Sequence, residues 1–478
     1  MITFDSIMLE SFAKAEGAFI CGARVNKIQQ PSRRELILSL RNNGNTRQFY
    51  INIDPKFYHV CFMSEENLKK RHIEIPQKPP MFCMLLRKYM NNARIAKINQ
   101  PDGERILELY FETYNEIGDK IYLCLAVELM GKYSNIILYN CDTGIILGCA
   151  HNVGSDKSQV REVYGTIPYT YPPKQETNDF ISRRYGFLRA IGRDIYSDGN
   201  INSIIDNYYA YHIGKFKYNS LKNNYKSNVS TKLKKVEKSL REMECQISKN
   251  KQADKYLYFG NLIMANLYAL KDYSKTVTVF DYENNKNIEI NLDETKTLKE
   301  NANKFFKKYN KSKTSNIKLS QLIEYTKMKK EYLDSLLFSI NCSENIDDLL
   351  ELSEEIFSDE PIKKYDKKSI EPIKIESGET RIYIGKNNKQ NDYIISKLAD
   401  DNDLWFHVHN CAGSHVLLKT QTITDELILK CAKLAKEHST CAYSGKAGVI
   451  YTKCKYLRKP PKAHLGYVTY KNEKEIVI

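Results

Sequence analysis

The chain has 478 residues, too many for one compact core, so two to four domains are expected. Hydrophobic residues make up 42% and charged residues 27%, with only 13 Pro and 21 Gly, which argues for folded domains and against long disordered linkers. A formal net charge of +15, with 34 Tyr beside 73 Lys plus Arg, suits an anionic partner, although an AT-rich genome also enriches Lys, Asn, Ile and Tyr.

The longest apolar stretch, 121–129, contains Glu128 and falls well short of the ~20 residues a membrane span needs, so no membrane partner is expected. Met1-Ile2-Thr3-Phe4-Asp5 has no basic segment ahead of an apolar core, so no export signal is expected. The 12 Cys include no C-x-x-C pair, which argues against a zinc ribbon, and they read as reduced thiols of a cytoplasmic protein.

In chain order, residues 1–172 alternate strands with occasional helices. Arg24-Val25-Asn26-Lys27-Ile28 and Glu35-Leu36-Ile37-Leu38-Ser39-Leu40 read as a hairpin about a Pro31-Ser32 turn. Residues 48–53 extend the sheet. Pro79-Pro80 opens a helix over 81–90, where a missing N–H costs nothing. Strands resume at 106–111, 121–129, 134–139 and 145–147. A Pro-rich joint, 168–173, precedes a helical stretch to about 225. Val229, Leu233, Val236, Leu240, Met243 and Ile247 then alternate spacings of four and three, the seam of a coiled coil. Its expected partner is a second helical run, 319–356, with Leu322, Leu333, Leu336, Ile340, Leu349 and Leu350. A small mixed insert, about 263–315, separates the two. Pro361 and Pro372 mark the next joint, and from about 371 the pattern is α/β again. The expected architecture is α+β and multidomain.

Candidate functional residues cluster late in the chain. Trp405-Phe406-His407-Val408-His409 reads as a strand with His407 and His409 on one face, about 7 Å apart, and His415 follows Ala412-Gly413-Ser414. The three histidines suit zinc by type. A packed sheet whose histidines cap the exposed face or meet phosphate explains them as well and is preferred; no metal is expected. Ser414 lacks a G-x-S-x-G elbow. Lys453, Lys455, Arg458, Lys459 and Lys462, interleaved with Tyr451 and Tyr456, form a stripe able to track a phosphate backbone, or alternatively a lysine-protected sheet edge. The lysines of 222–238 and Arg241 on the arm are a second cationic set. Glu104-Arg105, at a turn entering a strand, is by itself an ordinary surface ion pair. No Walker loop, G-x-G-x-x-G or H-E-x-x-H occurs, so no cofactor or catalytic residue is assigned.

Several ordered segments together resemble the NFACT family of RqcH/NEMF-type ribosome quality-control factors, whose bacterial members have been labelled fibronectin-binding protein A. They are Gly22-Ala23-Arg24-Val25-Asn26-Lys27-Ile28, the run 78–88 with Arg87, the run 128–135 with Lys132, Gly260-Asn261-Leu262, the run 300–311, Gly385-Lys386-Asn387-Asn388-Lys389-Gln390-Asn391-Asp392, Asp403-Leu404-Trp405-Phe406-His407-Val408 and Gly413-Ser414-His415-Val416. The resemblance implies an N-terminal NFACT domain (1–172) and a helix-hairpin-helix segment (173–225). A coiled-coil arm with an inserted middle domain (226–360) and an RNA-binding NFACT-R domain (361–478) follow.

It also implies binding to a 50S subunit, through 23S rRNA near the stalk base, that still holds an obstructed peptidyl-tRNA. Recruitment of alanyl-tRNA and alanine tailing of the nascent chain without mRNA follow, with a small S4-domain partner of the RqcP type. The ribosome forms the bond and the protein positions the tRNA, so the chain is not expected to be an enzyme. The family's Asp-Arg tailing motif falls on Glu104-Arg105, with the acid one methylene longer. Arg24, Lys27, Arg87, Lys132, Lys453, Lys455, Arg458 and Lys459 are the expected RNA contacts. Rival expectations are a surface fibronectin-binding adhesin, an rRNA- or tRNA-binding protein without tailing, and a formamidopyrimidine-type DNA glycosylase. The last needs an N-terminal proline, and Ile2 follows Met1 here.

Overall fold

The computed structural model describes residues 4–115, 117–156, 158–173, 201–250, 253–281, 284–357, 371–461 and 463–478. They form two compact units, Met1–Lys217 and Tyr218–Ile478. Most of the expected helix-hairpin-helix segment, 174–200, lies outside the described residues.

The first unit has helices α1 (Ser6–Ile20), α2 (Glu65–Lys70) and α3 (Met81–Met90), the last starting directly after Pro80 as expected. Its strands are β1 (Arg24–Ser32), β2 (Glu35–Asn42), β3 (Asn45–Asn52), β4 (His59–Met63), β5 (Arg94–Asn99), β6 (Ile106–Tyr114), β7 (Lys120–Glu128), β8 (Asn135–Asn140) and β9 (Ile146–Cys149). They make one antiparallel sheet in the order β4-β3-β2-β1-β5-β6-β7-β8-β9. β1 runs through Pro31 to Ser32, beyond the expected turn, because a register shift between Gln29 and Ser32 absorbs the proline. Bulges are among the few places where a strand tolerates the missing N–H.

The sheet order is that of two meanders joined at their first strands, and the sequence repeats accordingly. Ala23-Arg24-Val25-Asn26-Lys27-Ile28-Gln29-Gln30-Pro31 is echoed by Ala93-Arg94-Ile95-Ala96-Lys97-Ile98-Asn99-Gln100-Pro101. Each copy leaves its helix through a residue of positive φ, Gly22 at 84° and Asn92 at 61°, the conformation Gly and Asn adopt most readily after a helix. Each also carries a register shift at the same place, between Val25 and Lys27 and between Ile95 and Lys97. Four backbone bonds join the copies, and a two-fold rotation exchanges them. Gly22 N–H to Ile95 O (2.8 Å) matches Asn92 N–H to Val25 O (2.9 Å). Val25 N–H to Ala93 O (3.0 Å) matches Ile95 N–H to Ala23 O (2.9 Å).

One face of this sheet buries a large apolar core against α1, α3 and Ile201, Ile205, Tyr209 and Ile213 of α4 (Ile201–Asn250). Inside that core Arg71, fully buried, donates through Nη2 to Asp206 Oδ1 (2.8 Å) and Asp206 O (3.1 Å). Its Nη1 lies 3.2 Å from His59 Nε2, while His59 Nδ1 lies 2.6 Å from Phe57 O. Nδ1 therefore donates to that carbonyl and Nε2 accepts from the guanidinium. Burial, then Arg71, hold His59 well below its ordinary value, which keeps it neutral for this role. Asp206 Oδ2 accepts from Ser64 N–H (2.9 Å) and Asn67 Nδ2 (2.8 Å).

In the second unit α4 pairs antiparallel with α6 (Leu298–Cys342): Asn250 meets Asn316 at 2.7 Å, Glu237 meets Lys330 at 3.8 Å, and Lys222 reaches Asn341 O at 2.9 Å. All six heptad residues lie in or against one core with Ile323, Leu333, Leu336 and Ile340. Leu322, expected in that seam, points outward, because α6 turns Ile323 inward instead. The second run is also not one helix. It breaks between Cys342 and α7 (Ile346–Ile356), where Asn345 accepts from Asp348 N–H and starts a new helix. The insert ends near 297 rather than 315, because a Thr297–Glu300 capping box launches α6 there.

The insert consists of α5 (Asp254–Ala265) and a hairpin of β10 (Thr276–Asp281) and β11 (Lys286–Asn291). A Cβ at Gly260 would sit 2.6 Å from the Phe306 ring, so α5 and α6 touch only because that position is glycine.

The C-terminal part is a six-stranded antiparallel sheet of β12 (Ile373–Ser377), β13 (Thr380–Ile384), β14 (Leu404–Val408), β15 (Val416–Lys419), β16 (Gly448–Lys453) and β17 (Lys474–Val477), ordered β12-β13-β15-β14-β16-β17. Helices α8 (Asn388–Tyr393) and α9 (Asp425–Glu437) accompany it. Leu404, Phe406 and Val408 face the core shared with α9. Cys411 and Cys441 are joined by a disulfide, which corrects the expectation that every cysteine is a reduced thiol. The Gly413–Ser439 bridge lays the loop after β14 along the chain leaving α9 and brings the two Cα atoms to 6.6 Å.

Asp206→Ala leaves the Arg71 guanidinium buried without its counter-charge, which costs about 3–5 kcal/mol. Hydrogen exchange on the full chain is expected to show lost protection in 59–71 and 201–217; unchanged protection there would mean the pair does not anchor α4.

Candidate nucleic-acid interface

The turn that follows β5 is held by its backbone. The Gln100 amide donates to Ser6 O and to Glu104 O, both at 2.8 Å. Glu104 N–H returns to Pro101 O at 2.9 Å, and Arg105 O accepts from Leu129 N–H at 2.9 Å. Gly103, at φ 72°, completes the turn. Neither the Glu104 carboxylate nor the Arg105 guanidinium has an ion-pair or hydrogen-bond partner among the described residues, so the surface ion pair expected from their adjacency does not form. The matching turn of the first copy is closed instead: Arg34 pairs with Asp54 at 3.1 Å and Glu35 accepts from Tyr50 Oη at 2.5 Å. Of two related turns, one engages the residues equivalent to Glu104 and Arg105 internally, and the other presents an acid and a base on a fixed backbone.

The sheet face opposite the helices is divided. Over β6–β9 Val153, Val163, Ile167 and Tyr169 pack on it, and its acids are satisfied. Glu108 accepts from Asn99 (2.8 Å), Tyr110 (3.0 Å) and Tyr171 (2.6 Å). Glu128 takes a two-pronged grip from Arg161 (3.0 and 2.8 Å) and a bond from Tyr169 (3.0 Å). Burial pushes the Glu128 carboxyl up and Arg161 pulls it back. Over β1 the face is open, and Arg24 and Lys27 are exposed on it. Lys132 is also exposed, its ammonium 4.8 Å from the Tyr133 ring centre. Arg87 is half-buried and donates through Nε and Nη2 to Ile28 O at 3.0 and 2.9 Å, tying α3 to β1.

The C-terminal basic run does not form a strand stripe. β16 ends at Lys453, and Cys454–Tyr456 is a 3-10 turn that carries Lys455 off the strand. Lys453, Lys455, Arg458 and Lys459 are exposed, and Lys459 is paired with Asp392. Lys462 lies outside the described residues. Two arm lysines also have internal roles: Lys222 donates to Ser343 O (3.0 Å) and Lys232 to Ile356 O (2.6 Å), satisfying carbonyls at helix ends.

The three histidines lie on one sheet face but have different surroundings. His407 lies beside Trp405 with ring centres 5.8 Å apart, and His415 meets His407 edge-on at 5.3 Å. His409, one residue past β14, keeps the register through His409 N–H to Gly448 O (2.8 Å) and meets Glu475 at 3.3 Å. Glu475 stands in the same cross-strand row as His407, so the two histidines share a face as expected. Trp405 and His415 are buried rather than capping an open face, because the Asn391 side chain accepts from His415 N–H (3.0 Å) and draws that segment inward. Ser414 is buried and Gly413 is pressed to within a Cβ's reach of Ser439. Asp403 is ion-paired with Lys419 at 3.2 Å. The run 385–392 is structural as well: Asn387 caps α8 and donates to Glu351 (2.9 Å), and Lys389 pairs with Glu354 (2.6 Å).

Sequence reasoning passed over Arg41 and Arg94. The signal for Arg94 was the repeat itself, which sets it in the place that Arg24 holds in the first copy.

The family described as NFACT N-terminal and middle domains matches residues 5–191 and 188–374, and the NFACT protein RNA binding domain matches 373–472. The chain is 26% identical to the Rqc2 homolog RqcH of Bacillus subtilis, over 100% of this chain and 98% of that protein. It is 26% identical to the Rqc2 homolog RqcH of Streptococcus pneumoniae serotype 2, over 99% and 97% respectively. Among solved structures, the C-terminal part of the fibronectin/fibrinogen-binding protein from Streptococcus suis is 26% identical, with a TM-score of 0.41, over 55% of this chain and 94% of that one.

Burial holds the His407 imidazole down to about 4, and burial with His407 holds His415 well below its ordinary value. A histidine whose folded value lies below its unfolded one, near 6.5, favours the fold above that pH and loses this contribution as pH falls through the folded value. Trp405, the only tryptophan, lies against both rings. The urea midpoint read by its fluorescence is expected to fall between pH 6.5 and 4.5, and less steeply in His407→Gln. A midpoint independent of pH in the unmodified chain would contradict this.

Proposed function

Because this chain belongs to the NFACT family, we propose that it acts in ribosome-associated quality control. It binds a 50S subunit obstructed by peptidyl-tRNA, recruits alanyl-tRNA and supports addition of alanine to the nascent chain without mRNA, so marking that chain for degradation. Contacts to 23S rRNA near the stalk base, and a small S4-domain partner of the RqcP type, complete the assembly in the cytoplasm. The ribosome forms each peptide bond; this chain contributes position, which lowers the entropic part of the barrier.

The observation that carries the reading is the pair Glu104-Arg105, held on a backbone fixed by Gln100 and Leu129, with both side chains unpaired. A guanidinium with five donors in a rigid fork is suited to grip a phosphate or a base edge of a tRNA. The neighbouring carboxylate accepts from a base amine or a ribose hydroxyl. Glutamate in place of the family's aspartate moves that acceptor outward by one methylene without removing it. Similarity to RqcH relatives along the full length, and the match to an RNA-binding domain at the C-terminus, support the same reading. Among the described residues no helix is long and apolar enough to cross a membrane.

Arg105→Ala is expected to lower tRNA recovery with obstructed 50S particles about tenfold, the value of one charge-assisted contact, while co-sedimentation with 50S stays within about twofold of the unmodified chain. Equal loss of both would assign the turn a structural role. Failure of the unmodified chain to sediment with 50S in low salt would remove the proposal.

A further inference from the structure

The seam between β1 and β5 places like charges opposite one another. Arg24 is registered with Arg41 on one side and with Arg94 on the other, so three arginines stand abreast across β2, β1 and β5. All three are exposed, on the face away from the helices, and none has an ion-pair or hydrogen-bond partner among the described residues. Cross-strand neighbours on one face lie about 5 Å apart, and like charges there destabilise a sheet. A fold that keeps three such groups adjacent, with Lys27 and Lys97 exposed beside them at the two bulges, retains a repulsion that an anionic ligand relieves.

The rest of the row narrows the ligand. Beyond Arg94 comes Glu112, neutralised by Lys120 at 3.1 Å, and then Tyr122, whose exposed ring has the Lys120 ammonium 5.2 Å from its centre. Guanidinium forks followed by an open aromatic face are the elements that hold a phosphate backbone and stack a base. The Gly22 backbone passes beside the Arg94 guanidinium, where a Cβ would come within 3.5 Å of Nη2.

We propose that the row Arg41–Arg24–Arg94, with Tyr122 at its end, binds the phosphodiester backbone of a single-stranded RNA segment, at a site distinct from the Glu104-Arg105 turn. β5 runs from Arg94 at the seam to Asn99, and the turn lies beyond that far end, so one RNA need not engage both. The inference rests on the RNA-binding reading above and adds a second contact surface to it.

The test uses the full chain and a labelled twelve-nucleotide oligouridylate, with 50S co-sedimentation measured alongside. Arg24→Gln with Arg94→Gln is expected to weaken oligouridylate binding at least about tenfold and to lower the slope of log K against log salt by about 1.4, two contacts at about 0.7 each on a single strand. Its melting temperature is expected to stay level or rise, because the substitutions remove a repulsion, and a merely structural role predicts a fall. Tyr122→Ala is expected to weaken binding and leave the slope unchanged. Tight oligouridylate binding with unaltered affinity and slope in the double variant overturns the site while leaving the RNA-binding reading intact. Binding to 50S without any binding to oligouridylate also overturns it. Displacement by inorganic tripolyphosphate at equal phosphate concentration, with Tyr122→Ala silent, would assign the row to free polyphosphate instead. Loss of both 50S and oligouridylate binding in the unmodified chain removes the parent reading and this one with it.

Discussion

Four main-chain hydrogen bonds between β1 and β5 decide the form of the N-terminal unit. Without them there are two small meanders, each with an open edge strand of the kind that promotes aggregation. With them there is one nine-stranded sheet whose centre is a near-symmetric junction. Because that overlap is so short, β1 and β5 diverge at once, and the two related turns, at 33–34 and 101–105, are carried away from the junction in opposite directions. Gly22 and Asn92 make the junction possible, each letting the chain leave a helix and enter the seam with positive φ.

Symmetry of backbone is combined with asymmetry of charge. In the first copy two charges at the turn are engaged, Arg34 with Asp54 and Glu35 with Tyr50. In the second, the acids that lie deeper, Glu108 and Glu128, are bonded by Arg161, Tyr169 and Tyr171, while Glu104 and Arg105 are not. A charge taken out of water needs such partners, whereas one left in water is available to a ligand. Duplication followed by different use of equivalent positions accounts for a unit that is stable on one face and receptive on the other.

Much of this organisation was legible in the residues. The heptad seam from Val229 to Ile247 packs as its spacing indicated, since a helix of that period has one way to bury its apolar stripe. The helix after Pro80 begins where proline allows. Legibility failed where tertiary context chose between local options. The polar stretch after Thr297 gives no apolar period, yet a capping box and the Phe305–Phe306 contact with the insert make it helical. Leu322 and Ile323 were equally apolar, and only the partner helix selected between them. His407 and His409 alternate as a strand requires and share a face, but the sequence did not show that Trp405 and His415 would be buried there. The row of arginines was hidden for another reason: its members lie far apart in sequence and meet only through strand register.

The central claim is that the open face of the N-terminal sheet and the turn after β5 are where this chain meets RNA. Ultraviolet cross-linking of the native chain on 50S particles, followed by mass spectrometry of the RNA-linked peptides, tests it most directly. The account predicts adducts in peptides carrying Arg24–Lys27 and Arg94–Arg105. Adducts confined to the helical arm and the C-terminal sheet, with none in the first unit, would contradict it.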